Sequence, residues 1–188
     1  MSARTTPARV RPGGLREVGP FVTAFAWLAG RVSGTVPPAV FLTLGRNRRL
    51  FWGWLFFAGR LMPGGRLPRR DTELVILRVA VLTGSEYEHT QHTRLARRAG
   101  LDAAAVDRVS DGPDAPGWTP RQALLLDATD ELHHTRDLSD PTWAALRAEL
   151  DERVCIELLM LVGHYEMLST TLTALRVQPD AARGTGRR

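Results

Sequence analysis

Cysteine and lysine are the residues that this 188-residue sequence most clearly lacks. It contains one cysteine, Cys155, and no lysine, so all 25 basic residues are arginines. A single thiol excludes a dithiol active site within one chain, because that chemistry needs an attacking and a resolving thiol. A lone cysteine without a pairing partner is typical of a reducing compartment, so we expect a cytoplasmic protein.

Long apolar runs and alternating patterns are also missing. No segment approaches the roughly 20 apolar residues of a membrane helix, and the nearest run, residues 21–30, is about half that length. We therefore expect no membrane span, and we interpret this run as part of a helix of the fold, not as a signal peptide. No segment alternates with the period of two that marks a strand, so we predict an all-α fold.

The charge of the chain is positive but not concentrated on one face. The net charge is +5, and part of the excess lies in the two ends, residues 1–14 and 179–188. These ends are rich in small and polar residues, so we predict disordered tails around a single all-α domain at residues 15–178. Nucleic-acid binding needs a basic face interleaved with reading residues, and the scattered arginines do not form one, so we expect no nucleic-acid partner.

Helical periodicity and capping residues predict nine helices. Their predicted spans are residues 15–31, 39–44, 48–61, 71–82, 85–100, 103–109, 120–134, 140–150 and 152–176. In the first, Phe21, Phe25, Leu28 and Val32 are expected to share one face. The third carries aromatic residues on more than one side, which is typical of a helix buried on several sides or lying at a subunit interface.

The central hairpin of helices, residues 71–101, gathers most of the candidate chemistry. Asp71 or Thr72 could cap its first helix, and its second helix begins at Ser85. Ser85, Glu88 and His92 are spaced i, i+3 and i+7, so they share one helix face. Two interpretations stay open: Ser85 and Glu88 form a capping box, or this helix end faces a site where developing negative charge is stabilised.

This hairpin resembles the carboxymuconolactone decarboxylase and alkylhydroperoxidase D family. The redox members of that family carry a Glu, followed twelve positions later by Cys-x-x-Cys-x-x-x-His. Glu73 matches the family's Glu and His92 its His, whereas Ser85 and Glu88 occupy the two cysteine positions. Tyr87 stands where the redox members often have another His. The resemblance extends over residues 36–177.

The resemblance implies a helical bundle built around this hairpin, assembled as a homo-oligomer, either a trimer or a hexamer. Without the cysteine pair, dithiol peroxidase activity is not expected. What the resemblance implies instead is a cofactor-free lyase or isomerase, similar to the decarboxylase branch, acting on a small acidic keto or lactone substrate. His92 would be the general acid or base, Glu88 would orient it or share its proton, and Glu73 would support the imidazole from the preceding helix.

Four further residues are candidates for binding the substrate. Ser85 and the neighbouring backbone N–H groups could hold an oxyanion, and Tyr87 could offer its phenol to a substrate oxygen. His164 and Tyr165 interrupt an apolar helix, where polar groups need partners. They could line the site from a second helix or form simple hydrogen bonds between helices.

Two other functions stay open at this point. The protein could be a family member that binds a ligand without catalysis, with Ser85 and Glu88 only capping a helix. It could also be a di-iron carboxylate protein, because Glu-x-x-His occurs twice and three further glutamates are available. These residues are Glu86, His89, Glu131 and His134, with Glu73, Glu157 and Glu166. The leading hypothesis needs no metal and no cofactor.

Overall fold

A computed structural model describes residues 7–183 and confirms the all-α prediction. Within these residues there are nine α-helices and one short 3-10 helix, Val109–Asp111, and no strand beyond an isolated bridge between Thr35 and Ala182. The helices are α1 (Leu15–Ser33), α2 (Ala39–Leu44), α3 (Arg48–Leu61), α4 (Arg69–Leu82), α5 (Glu86–Arg98), α6 (Ala103–Arg108), α7 (Pro120–Thr135), α8 (Asp140–Glu149) and α9 (Glu152–Leu175).

The described chain divides into two compact units. The first contains residues up to Phe56 together with those from Thr171 onward, and the second runs from Phe57 to Thr170. The core of the first unit forms around Val18, Val22 and Phe51. The single domain predicted over residues 15–178 stays a prediction.

Most of the predicted apolar face of α1 is exposed, although Phe25 packs against the core of the first unit. Phe21 is 79% exposed, and Leu28 and Val32 are exposed as well. The buried face contains Val18 and Val22 instead. Because α1 carries apolar residues on both sides, helical periodicity alone could not select the face that packs.

The described parts of the two predicted tails form hydrogen bonds within the first unit. The backbone N–H of Arg9 donates to the carbonyl of Leu175 at 2.9 Å. The carboxylate of Asp180 accepts a hydrogen bond from the N–H of Ala39 at 2.8 Å. Residues 8–14 and 179–183 thus contain ordered contacts that their composition did not predict, while residues 1–6 and 184–188 lie outside the described residues.

In the second unit, α4 is the central element. It is buried along most of its length and packs against both α5 and α7. Arg78 holds this arrangement, because its guanidinium forms two 2.6 Å hydrogen bonds to Asp130 of α7 and donates to the carbonyl of Val109 at 2.8 Å. A planar guanidinium suits such a bidentate pair. The start of α4, which carries Glu73, is therefore part of a fixed scaffold.

Helix α4 begins two residues earlier than predicted. Pro68 occupies its N-cap position, so neither Asp71 nor Thr72 caps it. The Asp71 carboxylate instead accepts a 2.8 Å hydrogen bond from Arg121. Proline suits this place, since it has no N–H that needs a partner.

Helices α7 and α8 each begin at a residue whose side chain caps the helix. The hydroxyl of Thr119 accepts a hydrogen bond from the N–H of Gln122, and Ser139 caps α8 in the same way. On α8, Trp143 is exposed whereas Leu146 is buried. No helix in the described part of the chain combines the length and apolar character that crossing a bilayer requires.

Candidate functional site

The tight connection between α4 and α5 brings the site residues together. Helix α4 ends at Leu82, and Gly84 adopts a left-handed backbone conformation with φ of 63°. Glycine adopts this conformation without the steric cost that a side chain would add. The chain therefore reverses within three residues, and α5 runs back along α4, so that His92 lies beside Glu73.

His92 binds a carboxylate through each of its ring nitrogens. Its Nδ1 lies 2.7 Å from Oε2 of Glu73, and its Nε2 lies 3.2 Å from Oε2 of Glu88. Arg69, one turn before Glu73 on α4, places a guanidinium nitrogen 2.6 Å from the other oxygen of Glu73. Glu73, Glu88 and His92 are 0%, 3% and 4% exposed. We call these three residues the Glu–His–Glu cluster.

The two carboxylates determine the charge of His92. Burial lowers its pKa, but the charge and hydrogen bond of Glu73, followed by those of Glu88, outweigh burial and raise the pKa from 6.5 to about 9. At neutral pH the ring is therefore an imidazolium, and both of its N–H groups donate to carboxylates. Together with the exposed Arg69, the cluster residues carry two positive and two negative charges.

The capping-box interpretation of Ser85 and Glu88 is wrong. Ser85 occupies the N-cap position of α5, but its side chain makes no capping hydrogen bond. The Glu88 carboxylate reaches along the helix to His92 instead of back to the backbone of Ser85. The Ser85 hydroxyl is buried and has no hydrogen-bond partner among the described residues. Both side chains are therefore available for something other than capping.

Helix α9 places Tyr165 against the Glu–His–Glu cluster. The Tyr165 ring stands perpendicular to the His92 imidazole, with 5.1 Å between the ring centroids. Among the described residues, its hydroxyl donates to the sulfur of Met62, at 3.9 Å. Burial, followed by the charges of Glu88 and Glu73, raises the pKa of Tyr165 well above its usual value, so the phenol stays protonated.

His164 lies beside Tyr165 and differs from His92 in charge. Its ring centroid is 5.1 Å from that of Tyr165 and 5.3 Å from that of Phe57. Burial, and then the positive charge of His92, lower the pKa of His164 to about 4. The site thus contains one charged and one neutral imidazole at neutral pH, and such divergence of pKa values is typical of acid–base sites.

Tyr87 does not share the face of the cluster. It is buried, but it follows Ser85 by two residues and therefore lies roughly 200° around α5. Its role in substrate binding stays a prediction. Glu166, next to Tyr165 in sequence, points elsewhere and pairs with His133 and Arg136.

The glutamates of the di-iron hypothesis have other partners. Glu131 accepts hydrogen bonds from Ser139 and Thr142 at the start of α8, and Glu157 accepts backbone N–H groups of the loop before α4. Glu73 and Glu88 bind opposite nitrogens of one imidazole and so do not converge on a common point. Across residues 7–183, no group of three or more His, Cys, Asp or Glu side chains is arranged to hold a metal ion.

Sequence reasoning missed two residues that contact this site. Arg69 lay outside the predicted span of its helix, although its i, i+4 spacing to Glu73 is the usual signal for a helical ion pair. Met62 lies in the loop after α3, and no pattern in the sequence connects it to Tyr165. Cys155, also on α9, is buried and carries a free thiol.

Comparisons with known proteins agree with this architecture. Residues 48–131, which include the whole Glu–His–Glu cluster, match the model of the Carboxymuconolactone decarboxylase family. None of the curated protein sequences matches this chain significantly.

Several solved structures share the fold. An uncharacterized peroxidase-related protein from Ralstonia eutropha JMP134, with an alkylhydroperoxidase AhpD core, has a TM-score of 0.83 at 17% identity over 93% of each chain. An uncharacterized peroxidase-related protein from Silicibacter sp. TM1040 has a TM-score of 0.81 at 18% identity over 98% of this chain and 100% of the other.

An enzyme is also among these structures. A cysteine-to-alanine variant of the debrominase Bmp8, in complex with 2,3,4-tribromopyrrole, has a TM-score of 0.77 at 15% identity over 95% of each chain. The family match over residues 48–131 and the shared fold confirm the resemblance found in the sequence, which is a resemblance to the carboxymuconolactone decarboxylase and alkylhydroperoxidase D-like family without the redox cysteine pair.

Proposed function

We propose that this protein is a cofactor-free enzyme that transfers protons on a small keto or lactone substrate, as an isomerase or a lyase. The observation that supports it is the buried imidazole held between two carboxylates. Burying three ionisable groups is costly for a fold, and such an arrangement is characteristic of acid–base sites.

The geometry suggests how the roles are divided within the Glu–His–Glu cluster. Both nitrogens of His92 are occupied, so the ring has no lone pair or free N–H for a substrate. Within residues 7–183, Glu88 is bound through one of its two oxygens, at the longer distance of 3.2 Å. We therefore assign Glu88 as the group that exchanges a proton with the substrate. His92 is the proton reservoir beside it, and Glu73 with Arg69 positions His92.

The proposed step transfers a proton from carbon to oxygen. Glu88 accepts the proton from the carbon next to the substrate carbonyl, and the electron pair of the C–H bond moves into an enolate. Return of the proton to a different carbon gives an isomer. In a decarboxylation, the C–C bond to the carboxylate breaks instead, CO2 leaves, and a proton from the His92–Glu88 pair is delivered to the carbanion.

The test is proton exchange on candidate substrates. Purified protein would be incubated in D2O with small ketones, β-keto acids and butenolides, while 1H NMR follows deuterium incorporation and CO2 release is measured. We expect turnover by the natural sequence and a loss of about 100-fold or more in Glu88→Gln. Glu86→Gln is the matched control, since Glu86 is an exposed carboxylate in the same helical turn.

Full activity in Glu88→Gln would refute the proposed role of this residue. Binding of a panel compound without exchange or CO2 release would favour the alternative function, a family member that binds a ligand without catalysis. The buried Ser85 hydroxyl has no partner among the described residues. It is compatible with both the catalytic and the ligand-binding function, because in each case it could bind an oxygen of the ligand.

We also propose that the protein is a homo-oligomer. Large apolar side chains of the first unit, including Phe21, Leu50 and Trp52, are exposed. Exposed apolar surface of this kind is typical of protein interfaces. The trimer or hexamer, the cytoplasmic location and the lack of a nucleic-acid partner stay predictions.

A further inference from the structure

We infer that the Glu–His–Glu cluster acts on an uncharged carbonyl compound, whose oxygen accepts hydrogen bonds from the hydroxyls of Ser85 and Tyr165. This inference rests on the proposed function and narrows its substrate class. It replaces the acidic substrate expected from the sequence.

The first argument concerns two hydroxyls without good partners. The Ser85 hydroxyl is buried and unpaired within the described part of the chain, and the Tyr165 hydroxyl reaches only a thioether sulfur, which is a weak acceptor. A buried donor without an acceptor costs free energy, so each should bind an acceptor when one is present. A carbonyl oxygen has two lone pairs and can accept from both.

The second argument concerns where these hydroxyls lie. Ser85 precedes Glu88 by one turn on the same face of α5, and His92 follows Glu88 by one turn. Tyr165 packs edge-on against His92 from α9. Both hydroxyls therefore flank the Glu88–His92 pair, Ser85 from α5 and Tyr165 from α9. A small carbonyl compound held between them would present its neighbouring carbon to Glu88.

The third argument is the balance of charge. Glu73 and Glu88 carry two negative charges, and Arg69 and His92 carry two positive ones. Arg69 is already paired with Glu73, so a substrate carboxylate would add an uncompensated negative charge to a buried group. An uncharged substrate preserves the balance.

This balance also persists during the reaction. When Glu88 takes the proton from carbon, its charge disappears and one negative charge develops on the substrate oxygen. The start of α5 and the two hydroxyls would then stabilise that charge. This step only moves one negative charge from Glu88 to the substrate oxygen, whereas an acid would first bring an additional carboxylate into the site, so the site favours isomerisation of an uncharged substrate.

The experiment compares two probes in NMR binding titrations. One is 2(5H)-furanone, an uncharged butenolide, and the other is 5-oxo-2,5-dihydrofuran-2-carboxylate, the same ring with a carboxylate. We expect the furanone to bind the natural sequence at least tenfold more tightly than the carboxylate. Ser85→Ala and Tyr165→Phe should each weaken furanone binding about 5- to 10-fold, since each removes one hydrogen bond.

Thr93→Val is the matched control. Thr93 also carries a buried hydroxyl without a partner among the described residues, and it lies on α5, roughly 100° around the helix from His92. It should bind the furanone as the natural sequence does. Equal or tighter binding of the carboxylate, unchanged furanone binding in both hydroxyl variants, or no furanone binding at all would overturn the inference. Since these are binding measurements, they are independent of whether Glu88→Gln loses proton exchange.

Discussion

The charge on His92 should make the stability of the protein depend on pH. Its pKa is about 9 in the folded state and 6.5 in the unfolded chain, so the folded state holds one extra proton between these values. The resulting stabilisation is fully present below pH 6.5 and is lost as the pH rises through 9. At about 1.4 kcal/mol per pH unit, the shift corresponds to roughly 3 kcal/mol.

Urea denaturation at pH 6, 7.5 and 9.5 would measure this loss. We expect the free energy of unfolding of the natural sequence to fall by about 3 kcal/mol across the series, which is a large part of the stability of an ordinary domain. His92→Gln is uncharged at every pH and should be nearly flat over the same range, although less stable at pH 6.

His89→Gln serves as the control, because it removes a histidine from the same helix that is not part of the cluster. It should retain the full pH dependence. Parallel curves for the natural sequence and His92→Gln between pH 6.5 and 9 would refute the conclusion that His92 is charged in the folded protein.

Two further predictions concern the scaffold that holds the cluster. Asp130→Asn should destabilise the protein by about 3 kcal/mol in urea denaturation, because it leaves the buried Arg78 guanidinium without a counter-charge. The control is Asp127→Asn, an exposed change on the same helix, which should have little effect on the free energy of unfolding. Equal losses of stability in the two variants would contradict the argument. Thr119→Ala should cost about 1 kcal/mol by removing the cap of α7. Thr119→Ser retains the hydroxyl and should restore most of that loss, and a similar loss in both variants would count against the cap.

The shared face of Ser85, Glu88 and His92 could be predicted from spacing alone, because an α-helix fixes which residues lie together. The interaction that Glu88 makes on this face could not be predicted from spacing. The same Ser-x-x-Glu spacing suits a capping box, and Glu88 with His92 also suits an i, i+4 pair. The choice between them depends on Glu73, which approaches His92 from another helix, so only the tertiary structure decides it.

Arg69 shows how an error of two residues hides part of a site. Asp71 and Thr72 are good capping residues, and Pro68 is not a usual one, so local preference placed the start of α4 too late. With the predicted helix beginning at residue 71, Arg69 lies outside it, so its helical spacing to Glu73 is not part of the prediction. The exposed apolar residues of α1 have a different cause, because apolar residues on both sides of this helix leave periodicity unable to show which side packs.

The replacement of both motif cysteines has a practical consequence for handling the protein. Every proton-carrying atom of the Glu–His–Glu cluster is oxygen or nitrogen, and the one thiol of the chain, Cys155, is fully buried in α9. Thiol-alkylating reagents act on exposed thiolates, and the one cysteine of this chain is buried. Assays therefore need no reductant, and a loss of activity with iodoacetamide would indicate that the fold has opened around Cys155.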